Sequence, residues 1–153
     1  MEPSEAPAVF ELVSRAFDEA VRPSFSEQGV AQFKLAARGF LLEDPEGHVV
    51  HVAIVDGEIV GMIDLRDVSH ISLFFVDAAH RGEGVGSALL GAAIAGLRAY
   101  DDTPGALTVN SAPSAVGAYE RFGFEAAGPE QEKDGIRYVA MRKMLSADGR
   151  SLG

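Results

Sequence analysis

The sequence contains no cysteine, and this absence removes several kinds of chemistry at once. Disulfide bonds, thiolate zinc sites and a cysteine nucleophile are all excluded. No apolar run approaches the length needed to cross a membrane, and Met1 to Ala8 carries acids and prolines where a signal peptide needs a basic and then an apolar stretch. We therefore expect a soluble, cytoplasmic protein without a membrane partner.

Basic residues are also scarce. The chain has 13 Lys and Arg residues against 23 Asp and Glu residues, for a formal net charge of −10. Such a charge repels nucleic-acid phosphates, so we expect no nucleic-acid partner. The acidity either serves solubility alone or favours cationic, amine-bearing substrates, and composition leaves both readings open.

Apolar residues make up 47% of the 153 residues and are spread over the whole length. This composition predicts one folded domain spanning residues 1–153, with a frayed polar tail from Ser146 to Gly153. No repeat or linker divides it.

Periodicity predicts two helices first, then a change to the alternation typical of strands. The predicted elements, in order, are helices at Val9–Ala20 and Ser26–Gly39, a loop at Phe40–Gly47, strands at His48–Val55, Glu58–Leu65 and His70–Val76, a helix from Ser87 to about Tyr100, a strand at Ala106–Asn110, a short helix from Pro113 to Gly123, and strands at Phe124–Ala127 and Ile136–Met144. Asp56-Gly57 is a strong hairpin signal. The resulting fold class is α+β, one sheet covered by helices on both faces.

The most informative segment runs from Val76 to Ser87. A strand enters the glycine-rich string Arg81-Gly82-Glu83-Gly84-Val85-Gly86, and a helix follows at once. Glycines let backbone N–H groups converge, and the helix N-terminus adds unsatisfied donors and partial positive charge, so the segment suits an anion. Arg81 adds a guanidinium suited to phosphate. The string fits neither a Walker loop nor a Rossmann fingerprint. A purely structural turn is the alternative.

This segment resembles the pyrophosphate-binding motif of the GNAT superfamily of N-acetyltransferases. Arg81, Gly84 and Gly86 match the family pattern Arg/Gln-x-x-Gly-x-Gly/Ala, after a Leu-Phe-Phe-Val strand. Leu107-Thr-Val-Asn110 and the later string Tyr119-Glu-Arg-Phe-Gly-Phe124 are similar to the family's next strand and helix end. The resemblance covers roughly residues 70–144. Chains of this family commonly start with a strand, for which Met1 to Ser4 leaves almost no room.

The resemblance implies a GNAT-like mixed, mostly antiparallel sheet in which two parallel strands splay apart to bind coenzyme A. Those strands would be His70–Val76 and Leu107–Ser111, with the pantetheine arm paired to strand backbone. The implied cofactor contacts are Phe74, Phe75, Val76, Arg81, Gly82, Glu83, Gly84, Val85, Gly86, Ser87, Asn110 and Tyr119. For Asn110, turn chemistry with Ser111 and Pro113 is an equal alternative.

Two residues are candidates for proton transfer. By resemblance, the phenol of Tyr119 stabilises or protonates the departing thiolate, and the alternative is a ring that only packs on the sheet. His70 has an intrinsic pKa suited to a base near neutral pH. The alternative for His70 is a strand-end histidine bound to a polar neighbour, and the carboxylates of Asp64 and Asp67 could relay a proton instead. The remaining histidines have no spacing that indicates a metal site.

The polar connection Gly128–Gly135 is interpreted as a hairpin loop with mostly solvated charges. It could instead border the acceptor site, with Glu130 or Glu132 near a cationic substrate and Arg137 and Tyr138 facing the cleft.

The sequence therefore predicts an N-acetyltransferase that moves acetyl from acetyl-CoA, its co-substrate, to a primary amine by direct attack in a ternary complex. Three alternatives stay open: another acyl-CoA or a hydroxyl acceptor, a non-catalytic CoA-binding module, and a structural protein whose loop binds nothing. Family relatives are often dimers, so a homodimer is also an expectation.

Overall fold

The computed structural model of the chain describes residues 1–43, 46–97 and 104–145. Its helices and strands follow the predicted order. The α-helices are α1 Ala6–Ala20, α2 Glu27–Arg38, α3 Val85–Leu97 and α4 Val116–Arg121. The strands are β1 His48–Val55, β2 Glu58–Arg66, β3 His70–Val76, β4 Ala106–Ser111, β5 Glu125–Ala126, β6 Gln131–Lys133 and β7 Ile136–Met144. Single 3-10 turns lie at Pro3–Glu5, Arg22–Ser24, Ala78–His80 and Pro113–Ala115.

The N-terminal helices form for the reasons that the sequence pattern suggests. The buried residues of α1 recur at helical spacing and include Val9, Leu12 and Phe17. Ser26 caps α2, where its Oγ accepts the amide N–H of Gly29 at 3.0 Å. Within residues 1–43 no strand precedes α1, so the edge of the sheet is β1.

The sheet is mixed and mostly antiparallel, in the order β1-β2-β3-β4-β7-β5, with β6 paired to β7 as a hairpin. Only β3 and β4 run parallel. They pair at two positions, His70 with Thr108 and Ile71 with Val109, although β3 continues to Val76 and β4 to Ser111. The two strands therefore separate toward their carboxyl ends, which confirms the predicted fold class with its splayed parallel pair.

Helices cover both faces of this sheet. On the first face, α1 and α2 pack with Val50, Met62 and Leu73. On the second face, α3 and α4 pack over a larger apolar cluster that contains Ile63 and Leu107. The gap between β3 and β4 consequently opens between two packed layers.

Several details differ from the prediction. The stretch expected as a loop contains a π-helix, Gly39–Glu43, because Leu41 is buried under the first face. Helix α3 begins at Val85 instead of Ser87, and its predicted end near Tyr100 and the tail from Ser146 lie outside the described residues.

Strand β3 also contains a bulge that the alternation did not predict. Leu73 pairs with Asp64 and Ile71 pairs with Leu65, so Ser72 has no partner on β2. The extra residue turns Ile71 toward the α3 layer, while Leu73 and Phe75 face α1.

Candidate active site

The glycine string folds into a turn that leads directly into α3. Gly82 and Gly84 adopt φ angles of 81° and 83°, a left-handed conformation that glycine reaches without strain. The first hydrogen bond of the helix runs from the N–H of Ala88 to the carbonyl of Gly84, at 3.0 Å. The amide groups of Val85, Gly86 and Ser87 therefore have no acceptor within the helix and are available to an anion.

A cleft of about 470 Å³ begins at this turn and runs between β3 and α4. It is lined by Phe74, Val76, His80, Arg81, Gly82, Gly84, Val85, Gly86, Ser87, Ala115, Ala118, Tyr119, Arg121 and Phe122. The side chain of Arg81 is exposed there, and no residue in the described part of the chain forms an ion pair with it. The unpartnered amides and this guanidinium fit a diphosphate group.

The cleft contains a second cation, Arg121, that sequence reasoning did not single out. It is the last residue of α4, and it lines the same cleft as the glycine turn. Its position two residues after Tyr119 carried no spacing signal. The packing of α4 brings Arg121 to the cleft, where it adds a second positive charge to that of Arg81.

A smaller cavity of about 170 Å³ fills the gap between β3 and β4. It shares Phe74, Ala115 and Tyr119 with the cleft, so the two spaces adjoin. Ser72 at the bulge and Asn110 at the end of β4 also line it. Strand backbone beyond the last ladder pair is unpaired here, which suits an extended ligand that pairs like a strand.

Tyr119 stands where the cleft and the splay cavity meet. Its ring is buried, with Phe74 at 6.1 Å and Phe124 at 5.3 Å between ring centroids. No described residue hydrogen bonds to its hydroxyl. Burial raises the pKa of Tyr119 far above its usual range, so the phenol stays protonated near neutral pH.

A third space, about 330 Å³, opens on the other side of the splay. It shares Phe25, Asn110, Ala112 and Ile136 with the splay cavity. Its remaining lining is the β6–β7 hairpin, with Lys133, Asp134, Arg137 and Tyr138. The three spaces lie in a row, here called the passage, with the glycine turn at one mouth and the hairpin at the other.

The predicted site residues are distributed unevenly along this passage. Most of the predicted cofactor contacts line the cleft, whereas Asn110 lies at the splay and the far mouth. Glu83 does not line the cleft, and its carboxylate lies 3.0 Å from Nδ1 of His80. The side chain of Phe75 packs toward α2, with its ring 6.0 Å from that of Phe33. Contacts of these residues with a cofactor stay predictions.

His70 lies at the start of β3, before the splay. Its Nδ1 is 2.8 Å from Oγ1 of Thr108, and it lines none of the three spaces. Burial, with a smaller contribution from Arg66, lowers the pKa of His70. Its role as a base stays a prediction.

The structure also places the residues of the β6–β7 region that the sequence singled out. Arg137 lies 3.8 Å from Glu130, and the hydroxyl of Tyr138 donates to Gln131 at 3.3 Å. Arg137 and Tyr138 line the far mouth, while Glu130 and Glu132 do not.

Residues 1–43, 46–97 and 104–145 contain no group of three His, Asp or Glu side chains placed to hold a metal ion. No helix in those ranges is long and apolar enough to cross a membrane.

Comparison with known proteins gives a family and a fold. The family model described as "Acetyltransferase (GNAT) domain" matches residues 21–145. A GCN5-related N-acetyltransferase from Rhodopseudomonas palustris superposes with a TM-score of 0.74 at 21% identity, over 95% of this chain and 92% of that one.

Two further solved structures share the fold. The apo form of YjaB from Escherichia coli has a TM-score of 0.68 at 25% identity, over 93% of this chain and 92% of that one. PaiA N-acetyltransferase from Thermoplasma acidophilum, solved in complex with coenzyme A, has a TM-score of 0.71 at 14% identity. The match covers 95% of this chain and 96% of that one. No curated protein matches the chain significantly.

Proposed function

Because the chain belongs to the GNAT acetyltransferase family, we propose that it transfers an acetyl group from acetyl-CoA to a primary amine by direct attack in a ternary complex. The observation that carries this proposal is the passage, the row of adjoining spaces between the glycine turn and the β6–β7 hairpin. A passage with two mouths lets donor and acceptor enter from opposite sides and meet at the splay. The absence of cysteine agrees with direct attack, because no thiol can carry the acyl group.

The donor is held along the cleft. The free amides at the start of α3 bind the pyrophosphate together with Arg81, and Arg121 adds charge from the opposite wall. The pantetheine arm lies along β3 beside Phe74 and Val76, where the strand has lost its ladder partner. This arrangement brings the thioester to the splay cavity, next to Tyr119.

The reaction itself follows from these positions. The amine nitrogen attacks the thioester carbonyl carbon, and the resulting tetrahedral intermediate expels the sulfur as a thiolate. The protonated Tyr119 phenol donates its proton to that sulfur, so the C–S bond breaks with its charge neutralised. The hydroxyl has no protein partner that competes for the proton in the described part of the chain.

A thiol-release assay tests the function. Purified protein is incubated with acetyl-CoA and a panel of primary amines, and free CoA thiol and the mass of the acetylated product are measured. We expect amine-dependent thiol release at a 1:1 ratio with product. The same panel with longer acyl-CoA donors and with alcohols separates the nearest alternatives. Tight CoA binding without turnover on any acceptor would identify a non-catalytic CoA-binding module instead.

A further inference from the structure

A buried polar cluster lies beside the passage, on the α1 side of the sheet. Asp64, on β2, is fully buried at 0% exposure. Its Oδ2 accepts a hydrogen bond from Ser72 Oγ at 2.7 Å and lies 2.6 Å from Nδ1 of His48. Its Oδ1 has no hydrogen-bond partner in the structure as described.

The surroundings of Asp64 make this burial costly for a purely structural group. Its cross-strand partner on β1 is Val50, which belongs to the apolar cluster that α1 covers. A buried carboxylate with one unsatisfied oxygen costs free energy that an apolar residue would avoid. Such a group is therefore expected to have a chemical role.

The charged and titratable groups near Asp64 are few. On β1 His48 contacts it, and the N-terminal ammonium of Met1 donates to the carbonyl of Val50, the residue paired with Asp64. Arg66 follows two positions along β2, and His70 on β3 is paired with Arg66.

Ser72 connects Asp64 to the reaction site. It is the bulged residue of β3, and it follows the last position at which β3 pairs with β4. It also lines the splay cavity. Bulges commonly redirect one side chain near an active site. The bulged residue therefore lines the cavity, and its hydroxyl donates to the buried carboxylate.

On the basis of the proposed function, we propose that Ser72 and Asp64 relay the proton that the acceptor amine must lose. As the nitrogen bonds to the carbonyl carbon, its N–H proton passes to Ser72 Oγ while the hydroxyl proton of Ser72 passes to Asp64 Oδ2. The nitrogen keeps the electron pair of the broken N–H bond, and Asp64 becomes a neutral acid.

His48 positions the carboxylate in this scheme. Its Nδ1 approaches the same Oδ2, and its ring stacks on Phe40 at 4.4 Å between centroids. The stacked ring fixes the direction of the carboxylate and hence of the Ser72 hydroxyl.

The test compares Ser72→Ala, Ser72→Thr and Asp64→Asn with the wild type, using acetyl-CoA and the best amine found. We expect Ser72→Ala and Asp64→Asn to lower kcat about 100-fold, with the KM for the amine and the Kd for CoA unchanged within threefold. Ser72→Thr keeps a hydroxyl and should recover most of the rate. The deficit of Ser72→Ala should shrink as pH rises, because hydroxide then removes the proton.

Ser69→Ala is the matched control, because Ser69 lies before β3 and its side chain makes no hydrogen bond in the described structure. If Asp64→Asn does not fold, the two Ser72 variants still test the relay. A kcat for Ser72→Ala within threefold of wild type, with an unchanged pH profile, overturns the relay. A large loss of kcat in His70→Gln, together with a near-normal kcat in Ser72→Ala, also overturns the relay and assigns the base to His70. A wild-type protein that binds no CoA or acetylates no amine refutes the proposed function itself, and the relay with it.

Discussion

At the scale of single residues, the site depends on groups that the fold leaves without partners. The Tyr119 hydroxyl has no hydrogen-bond partner among the described residues, and the Arg81 guanidinium forms no ion pair with them. Both groups line the same cleft. Replacing a side chain whose polar end has no partner in the protein removes no protein hydrogen bond or ion pair. The effect of such a substitution therefore reports on ligand binding or catalysis and not on stability.

Tyr119→Phe should lower kcat about 100-fold because it removes the proton donor to the thiolate. The ring remains, and no protein hydrogen bond is lost, so the free energy of unfolding and the Kd for CoA should stay close to wild type. Steady-state kinetics, calorimetry and urea unfolding measure the three quantities. An unchanged kcat would remove Tyr119 from the proton transfer.

Arg81→Ala should weaken CoA binding by about 1–3 kcal/mol, the usual range for a lost charge-assisted contact. Isothermal titration calorimetry measures the Kd. Arg38→Ala is the control for the change in net charge, because Arg38 lies on α2 in an ion pair with Glu43. Equal Kd values for Arg81→Ala and wild type would exclude Arg81 from the phosphate site.

At the scale of elements, the position of α4 is set by a buried lysine. Lys143 on β7 donates from Nζ to the carbonyl of Phe122, at the end of α4, at 2.6 Å. Burial lowers the pKa of Lys143. Gly123 follows with φ 94°, and a Cβ atom there would lie 2.5 Å from Nζ. This contact holds the helix that carries Tyr119 and Arg121.

Gly123→Ala should lower the free energy of unfolding by about 1–3 kcal/mol, because alanine is strained in the left-handed conformation. The added methyl group also collides with Lys143. Urea unfolding measures the change. Gly39→Ala is the matched control: Gly39 has φ −60° and open space around it, so alanine should raise stability by up to about 1 kcal/mol. A Gly123→Ala variant as stable as wild type contradicts this account of α4.

The sequence predicted most elements, because helical spacing, strand alternation and turn residues are local signals. Ser26 and Asp56-Gly57 marked boundaries close to those in the structure. The bulge at Ser72 could not be predicted, because it is defined by the register against β2. The glycine turn was predicted from its motif. The place of Arg121 and the arrangement of the three spaces in a row depend on packing between distant elements, which no local pattern encodes.

At the scale of the whole molecule, the proposed mechanism gives each substrate its own end of the passage. Its cleft mouth is lined by the glycine turn, and its far mouth by the β6–β7 hairpin. In this mechanism neither substrate has to leave before the other enters. The net charge of −10 also favours the approach of a protonated amine, an attraction that salt screens.

Two-substrate kinetics should therefore show a sequential mechanism. Initial rates measured against amine concentration at several acetyl-CoA concentrations should give intersecting double-reciprocal lines, since both substrates are bound when the amine attacks. Parallel lines, with acetyl transferred to the protein in the absence of amine, would contradict direct attack.

The most direct test of the account is the binding of acetyl-CoA to the purified protein, measured by isothermal titration calorimetry. Pantetheine analogues that lack the pyrophosphate serve as controls for the glycine turn. We predict 1:1 binding in the micromolar range that is lost with the analogues. Failure to bind any CoA species would mean that the turn at Arg81–Gly86 is only structural, and it would contradict the proposed acetyl transfer.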